Sequence, residues 1–256
     1  MTPDQPASAA PHRTARVVLI TGGARRVGAC IARDLHALGF DIAVHYRHSR
    51  NDAQSLASTL CAVRPDSVRC FQADLLSVAE CASLVDKVRR SFGRLDVLIN
   101  NASSFYPTPL GQISEAQFED LIGSNLKAPL FVSQHAAPLL RASHGAIVNI
   151  TDIHASRPKL GFSAYSAAKA GLASLTISLA RELAPEVRVN AIAPGSVMWP
   201  EQDTDPEARR RIVAGTALGR PGNPQDIADA VRYLVTSAAY TTGQTLVVDG
   251  GRELGL

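Results

Sequence analysis

Two periodicities alternate along this chain. Short runs of mostly apolar residues, at 17–21, 41–45, 68–73, 97–100, 146–151, 188–193 and 245–249, have the length of strands. Between them, near 27–38, 51–63, 77–91, 114–141, 163–183 and 224–236, apolar residues recur every three to four positions, as on one face of a helix. Strands that are apolar without alternation are buried on both faces. When helices separate them, they become parallel neighbours joined by right-handed crossovers. The pattern predicts an α/β fold, a doubly wound parallel sheet of about seven strands with helices on both faces.

Sheets of this kind bind ligands at the carboxyl ends of their strands, beside the point where strand order reverses. Residues just past a strand are therefore the candidates for chemistry. They are His45-Tyr46-Arg47-His48-Ser49 after the second strand, Asp74 after the third, and Asn100 to Tyr106 after the fourth. Thr151-Asp152 follows the fifth and Pro194-Gly195 the sixth. One irregular insertion, near 196–222, is rich in Pro, Gly and charge and holds the only tryptophan, Trp199. It overhangs the strand ends either as a substrate lid or as a plain surface loop.

At 256 residues the chain suits one domain over 16–256. The Pro-, Ala- and Ser-rich segment 1–15 has no apolar core of a secretory signal and reads as a disordered tail. A net charge of +3 with scattered arginines argues against nucleic acid as a partner. No apolar run approaches a membrane span. Cys30, Cys61, Cys70 and Cys81 form no C-x-x-C pair and no metal-ligand spacing, so a reducing, cytoplasmic setting without a metal is expected.

Thr21-Gly22-Gly23-Ala24-Arg25-Arg26-Val27-Gly28 joins the first strand to the first helix. A glycine-bearing turn there lays backbone N–H groups and a helix N-terminus against a phosphate. The middle glycine of the usual fingerprint is missing, and Arg26 stands in its place. At the end of the second strand, an acidic residue would select the ribose hydroxyl of NAD and a basic one the extra phosphate of NADP. Arg47, His48 and Ser49 occupy that place, which favours NADPH/NADP+. Asp74 either accepts from an adenine amino group or caps the helix beginning near Ser77. Tyr165 and Lys169 are one helical turn apart, so the ammonium can draw the phenol toward a working pKa while holding ribose hydroxyls.

Taken together, these residues resemble the short-chain dehydrogenase/reductase family over about 16–251, with its Rossmann-like sheet. The matching features are the Thr21–Gly28 turn, Asp74, Asn100-Asn101-Ala102, Asn125, Tyr165-Ser166-Ala167-Ala168-Lys169, Pro194-Gly195 and Val248-Asp249-Gly250-Gly251. The resemblance implies that Tyr165 donates a proton, Lys169 tunes it and Asn125 positions Lys169. It implies cofactor contacts from Gly22, Arg25, Arg26, Val27, Leu75, Asn101, Ala102, Pro194, Gly195 and Ser196. It also implies a homotetramer.

Where the family has a carbonyl-polarising serine, thirteen residues before the tyrosine, this chain has Asp152. A carboxylate accepts from nitrogen donors or relays a proton, and it does not donate to a ketone. Asp152, Arg26, Ser103 and Phe105 together resemble the pteridine reductases of that family. That likeness implies NADPH-dependent reduction of a pterin or folate, with Phe105 stacking the ring and Arg26 and Ser103 touching both ligands. A carbonyl reductase and a non-catalytic NADP(H) sensor are the alternatives.

Overall fold

In a computed structural model of the chain, residues 15–198 and 205–254 are described. Almost all of the expected tail at 1–15 lies outside them, as does Trp199. The elements in order are β1 (Val17–Ile20), α1 (Arg26–Ala37), β2 (Asp41–Tyr46), α2 (Arg50–Val63), β3 (Val68–Gln72), α3 (Val78–Phe92) and β4 (Val97–Asn100). There follow α4 (Glu115–Ile122), α5 (Ala128–Ala142), β5 (Ala146–Ile150), α6 (Ser163–Glu182), β6 (Arg188–Pro194), α7 (Pro206–Ala214), α8 (Pro224–Thr236) and β7 (Thr245–Val248).

All seven predicted strands form one parallel sheet in the order β3-β2-β1-β4-β5-β6-β7. Order reverses at β1, where Leu19 lies between Ala43 of β2 and Leu98 of β4. Successive residues of a strand point to opposite faces, and β1 supplies both. Val18 and Ile20 pack with Ile31 of α1, Leu56 of α2 and Val231 of α8. Val17 and Leu19 pack with Leu84 of α3, Val132 of α5 and Leu179 of α6. Two apolar layers thus fix the sheet from either side and leave its carboxyl edge for ligands. β7 departs from the expectation of burial on both faces: its first three residues are exposed because it is the edge strand.

Three further boundaries differ from the periodicity. β2 runs one residue further than expected, through Tyr46, which pairs with Gln72 as His45 pairs with Phe71. The insertion near 196–222 contains α7, begun by Asp205, whose side chain accepts from the Glu207 and Ala208 amides. The single helix expected at 114–141 is interrupted by a π-helical turn, Gly123–Lys127. Asn125 sits at the centre of that turn. Its side-chain amide donates to the Leu121 carbonyl at 3.0 Å and to the Ser104 carbonyl at 3.0 Å, tying the turn to the segment after β4.

Candidate active site

The turn after β1 is tied down on both flanks. The Thr21 hydroxyl accepts from the Asn101 and Ala102 amides at 2.9 and 3.0 Å. The Asn101 side-chain amide donates to the Thr21 and Gly22 carbonyls at 2.9 and 3.1 Å. Gly22 has φ +60°, and a Cβ there would come within 3.0 Å of the Ala102 Cα. Arg26 itself adopts φ +52°, so it takes the left-handed backbone that the missing glycine would have taken, at a cost of about 1–2 kcal/mol. α1 then starts with Arg25 at its N-cap, without a side-chain capping bond and without an acidic residue in its first turn. A helix N-terminus left in that state suits an anion.

A cleft of about 450 Å³ opens over this turn. It is lined by Gly22, Arg25, Arg26 and Val27, by Arg47, His48 and Ser49, by Asp74 and Leu75, and by Asn101, Ala102 and Ser103. Its basic rim and uncapped helix fit the phosphates of a nicotinamide dinucleotide. Arg47 is held over the cleft by Asp74 at 2.9 Å, with Asp120 at 4.0 Å. Asp74 is not the cap of α3; Ser77 is, accepting from the Glu80 amide at 3.3 Å, while Asp74 accepts from the Leu76 amide. Ser49 stands at the N-cap of α2 with no side-chain capping bond, and Arg25 lies 3.9 Å from Asp52.

Beyond Ser103 the candidate catalytic groups gather. The Tyr165 hydroxyl donates to Asp152 Oδ2 at 2.7 Å, and Asp152 Oδ1 accepts from the His154 amide at 2.8 Å. The Ser103 hydroxyl donates to Asn125 Oδ1 at 2.7 Å. Lys169, buried within α6, donates to the Ile150 carbonyl at 2.9 Å, and its Nζ lies 5.6 Å from the Tyr165 ring centroid. Here the electrostatics run opposite to the expectation for Tyr165. Burial and the Asp152 carboxylate push the phenol's pKa up, and only the neighbouring Ser103 hydroxyl opposes them. Lys169 is pulled down to about 8 by burial, opposed by Asp152.

Phe105 is 43% exposed and stacks on Phe162 with ring centroids 4.8 Å apart, while meeting the Tyr165 ring edge-on at 4.8 Å. The Lys159 ammonium lies 4.3 Å from the Phe162 ring centroid and 5.4 Å from that of Phe105. Phe162 and Lys159 escaped the sequence reading. An aromatic residue three positions before Tyr165 was the available signal.

Pro194 is buried at the end of β6, and Gly195 packs on Asp249 past β7 with its amide donating to Val248. Ser196 lines a second cavity of about 400 Å³, with Leu218, Arg220 and Val248, rather than the first. Among the described residues no His/Cys/Asp/Glu group could hold a metal and no helix is long and apolar enough to cross a membrane.

Comparison with known proteins agrees with this arrangement. Residues 22–253 match a family profile described as Enoyl-(Acyl carrier protein) reductase. Pteridine reductase 1 of Leishmania tarentolae is 37% identical over 94% of this chain and 97% of its own length. The 3-oxoacyl-(acyl-carrier-protein) reductase of Staphylococcus aureus is 36% identical over 91% of this chain and 96% of its own. The parallel sheet, the glycine-bearing turn at its switch point and these matches lead to one conclusion: the chain belongs to the short-chain dehydrogenase/reductase family of oxidoreductases.

Proposed function

We propose that the chain is an NADPH-dependent pteridine reductase, acting on a ring C=N of a dihydropterin and, in the same site, on dihydrofolate or an oxidised pterin. The observation that carries this reading is Asp152 at 2.7 Å from the Tyr165 hydroxyl. A ketone oxygen needs donors from both sides, and an ionised carboxylate offers none. A pterin presents amino and ring N–H groups, which a carboxylate can accept. The kinship with a protein named pteridine reductase supports the same choice.

The bound nicotinamide supplies the hydride, and the chain's residues do the rest. At rest the Tyr165 hydroxyl is oriented by Asp152; it gives its proton to the ring nitrogen as the hydride reaches the neighbouring carbon, and Asp152 relays a replacement proton from water back to Tyr165. Lys169 holds the ribose, and Asn125 positions Lys169 and orders the proton path. Phe105 offers a ring face to the flat heterocycle, while Ser103 and Arg26 reach its polar edge and the cofactor's phosphate. Arg47, His48 and Ser49 take the additional phosphate of NADPH, and Asp74 and Leu75 the adenine. Asn101, Ala102, Pro194 and Gly195 border the cofactor through their backbone, with Ser196 reaching it from the second cavity. In this reading 16–256 is one catalytic domain, the segment near 196–222 closes over the substrate, and the enzyme is a cytoplasmic homotetramer. Exposed Ile177 on α6 and Leu246 and Val247 on β7 support assembly through those elements.

The competing reading is reduction of a ketoacyl group, favoured by the nearly equal kinship with a 3-oxoacyl reductase. NADPH oxidation should be followed with dihydrobiopterin, dihydromonapterin, dihydrofolate and a ketoacyl thioester. Turnover of a pterin and not of the thioester is expected; the reverse would overturn the proposal. Asp152→Ala should lower pterin turnover by about 100-fold or more, with NADPH affinity changed less than about threefold. Unimpaired turnover would remove Asp152 from the proton path.

A further inference from the structure

His45 is only 2% exposed and sits within β2, beneath the turn that the cofactor meets. Its Nδ1 accepts the Gly22 amide at 3.0 Å, and its Nε2 lies 3.1 Å from the Ala73 carbonyl. A carbonyl can only accept, so the proton is on Nε2 and Nδ1 is bare. The backbone carbonyl of the same residue accepts the Gly23 amide at 2.9 Å. One residue therefore takes both amides of the Gly22-Gly23 pair, one with its ring and one with its backbone.

That pair needs an external constraint. Gly22, at φ +60°, has no Cβ to resist rotation, so its peptide planes are free to turn unless neighbours hold them. Asn101 grips the carbonyl side of the Thr21–Gly22 and Gly22–Gly23 peptides. His45 grips the opposite side, through the amides. Through Ala73 it also joins the end of β3, next to Asp74 and its partner Arg47. We propose that His45 is a positioning residue for the cofactor, its Nε2-protonated imidazole setting the plane of the Thr21–Gly22 peptide and thereby the amides at the start of α1 that face a dinucleotide's phosphates. Burial, opposed by the hydrogen bond to Ala73 and the charge of Asp74, holds the imidazole's pKa down to about 4. The bare nitrogen therefore persists well below the ordinary histidine range. The inference rests on the family's nicotinamide dinucleotide and is independent of the pterin reading.

The test compares His45→Leu, which fills space without an acceptor, with His45→Gln, whose amide can both accept and donate. NADP+ binding is measured by titration calorimetry at pH 7.5, alongside nitrogen NMR of the wild-type imidazole. His45→Leu should weaken NADP+ by about tenfold or more, the effect of leaving the Gly22 amide without its acceptor. kcat at saturating cofactor should change by less than about threefold, and His45→Gln should recover part of the affinity. The wild-type proton should be found on Nε2 at pH 7.5 and at pH 5.5. A folded His45→Leu protein that binds NADP+ as tightly as wild type overturns the proposal, as does a proton on Nδ1. If His45→Leu does not fold, the NMR result and the glutamine variant decide alone.

Discussion

Tyr165 carries a proton that its surroundings keep in place, since burial and the Asp152 carboxylate both raise its pKa. Lys169, one turn further along α6, makes no hydrogen bond to the hydroxyl; one of its three ammonium donors goes to the Ile150 carbonyl. The lysine's pKa of about 8 lies below the ordinary 10.5, so its charge is present below that pH and lost above it. If the ammonium holds the cofactor's ribose, NADPH affinity for the free enzyme should weaken above about pH 8, toward one decade per pH unit. Lys169→Met should abolish that limb, as fluorescence titrations from acid to alkaline pH would reveal; a wild-type affinity flat across the range would separate the ammonium from the cofactor. Arg26 presents a second residue-scale trade. Arg26→Gly relieves the left-handed strain but loosens the unfolded chain, so stability should stay within about 1 kcal/mol of the parent. Pterin kcat/KM should nonetheless drop about tenfold, the value of a charged hydrogen bond. Denaturant melts and kinetics on the same sample separate the two; a large loss of stability would mean that the guanidinium holds the turn rather than the ligands.

At the scale of elements, the π-helical turn between α4 and α5 brings Asn125 against Ser103 among the candidate catalytic side chains. Asn125 bonds to Ser103, Ser104, Ser124 and Leu121 at once. Asn125→Ala would leave the Leu121 carbonyl and the Ser103 hydroxyl without their partner, at a cost of about 1–3 kcal/mol each when buried. We expect a clear drop in thermal midpoint together with reduced turnover. Asn125→Asp keeps the acceptor for Ser103 but loses the two donors, and should recover stability only in part. An alanine variant as stable as the parent would show that the turn is set by Gly123 and its neighbours. This break could not be seen in the periodicity of 114–141, which carries no sign that the Asn125 side chain reaches the Ser104 carbonyl, 21 residues away in sequence. The same applies to Arg47, whose pairing with Asp74 joins the ends of β2 and β3. Strands were easier to find: β1, β2, β4 and β5 are buried throughout, so their apolar runs had one interpretation. Side chains just past those strands were legible as a set. Their partners were not, since hydrogen bonds such as Gly22 to His45 and Tyr165 to Asp152 depend on register and rotamer.

At the scale of the molecule, the switch of strand order at β1 divides the labour. β1 to β3 with their connections carry the glycine-bearing turn, Arg47 and Asp74; β4 to β6 and α6 carry Ser103, Asp152, Tyr165 and Lys169. The cofactor cleft draws its walls from both sides, from Gly22 through Leu76 on one and from Asn101 through Ser124 on the other. Between the two halves of the chain, α3 ends at Gly93, exposed and in a left-handed conformation with nothing near its missing Cβ. A chain cut there yields two pieces, 1–93 and 94–256, neither of which owns a whole cleft. Co-produced, they should reassemble along β1 and β4 and associate more tightly when NADP+ is added, as sedimentation would report, because ligand that binds only the joined form favours joining. Association indifferent to the dinucleotide would place the cleft in one piece. By that route an oxidoreductase becomes a two-part sensor whose output is its own assembly.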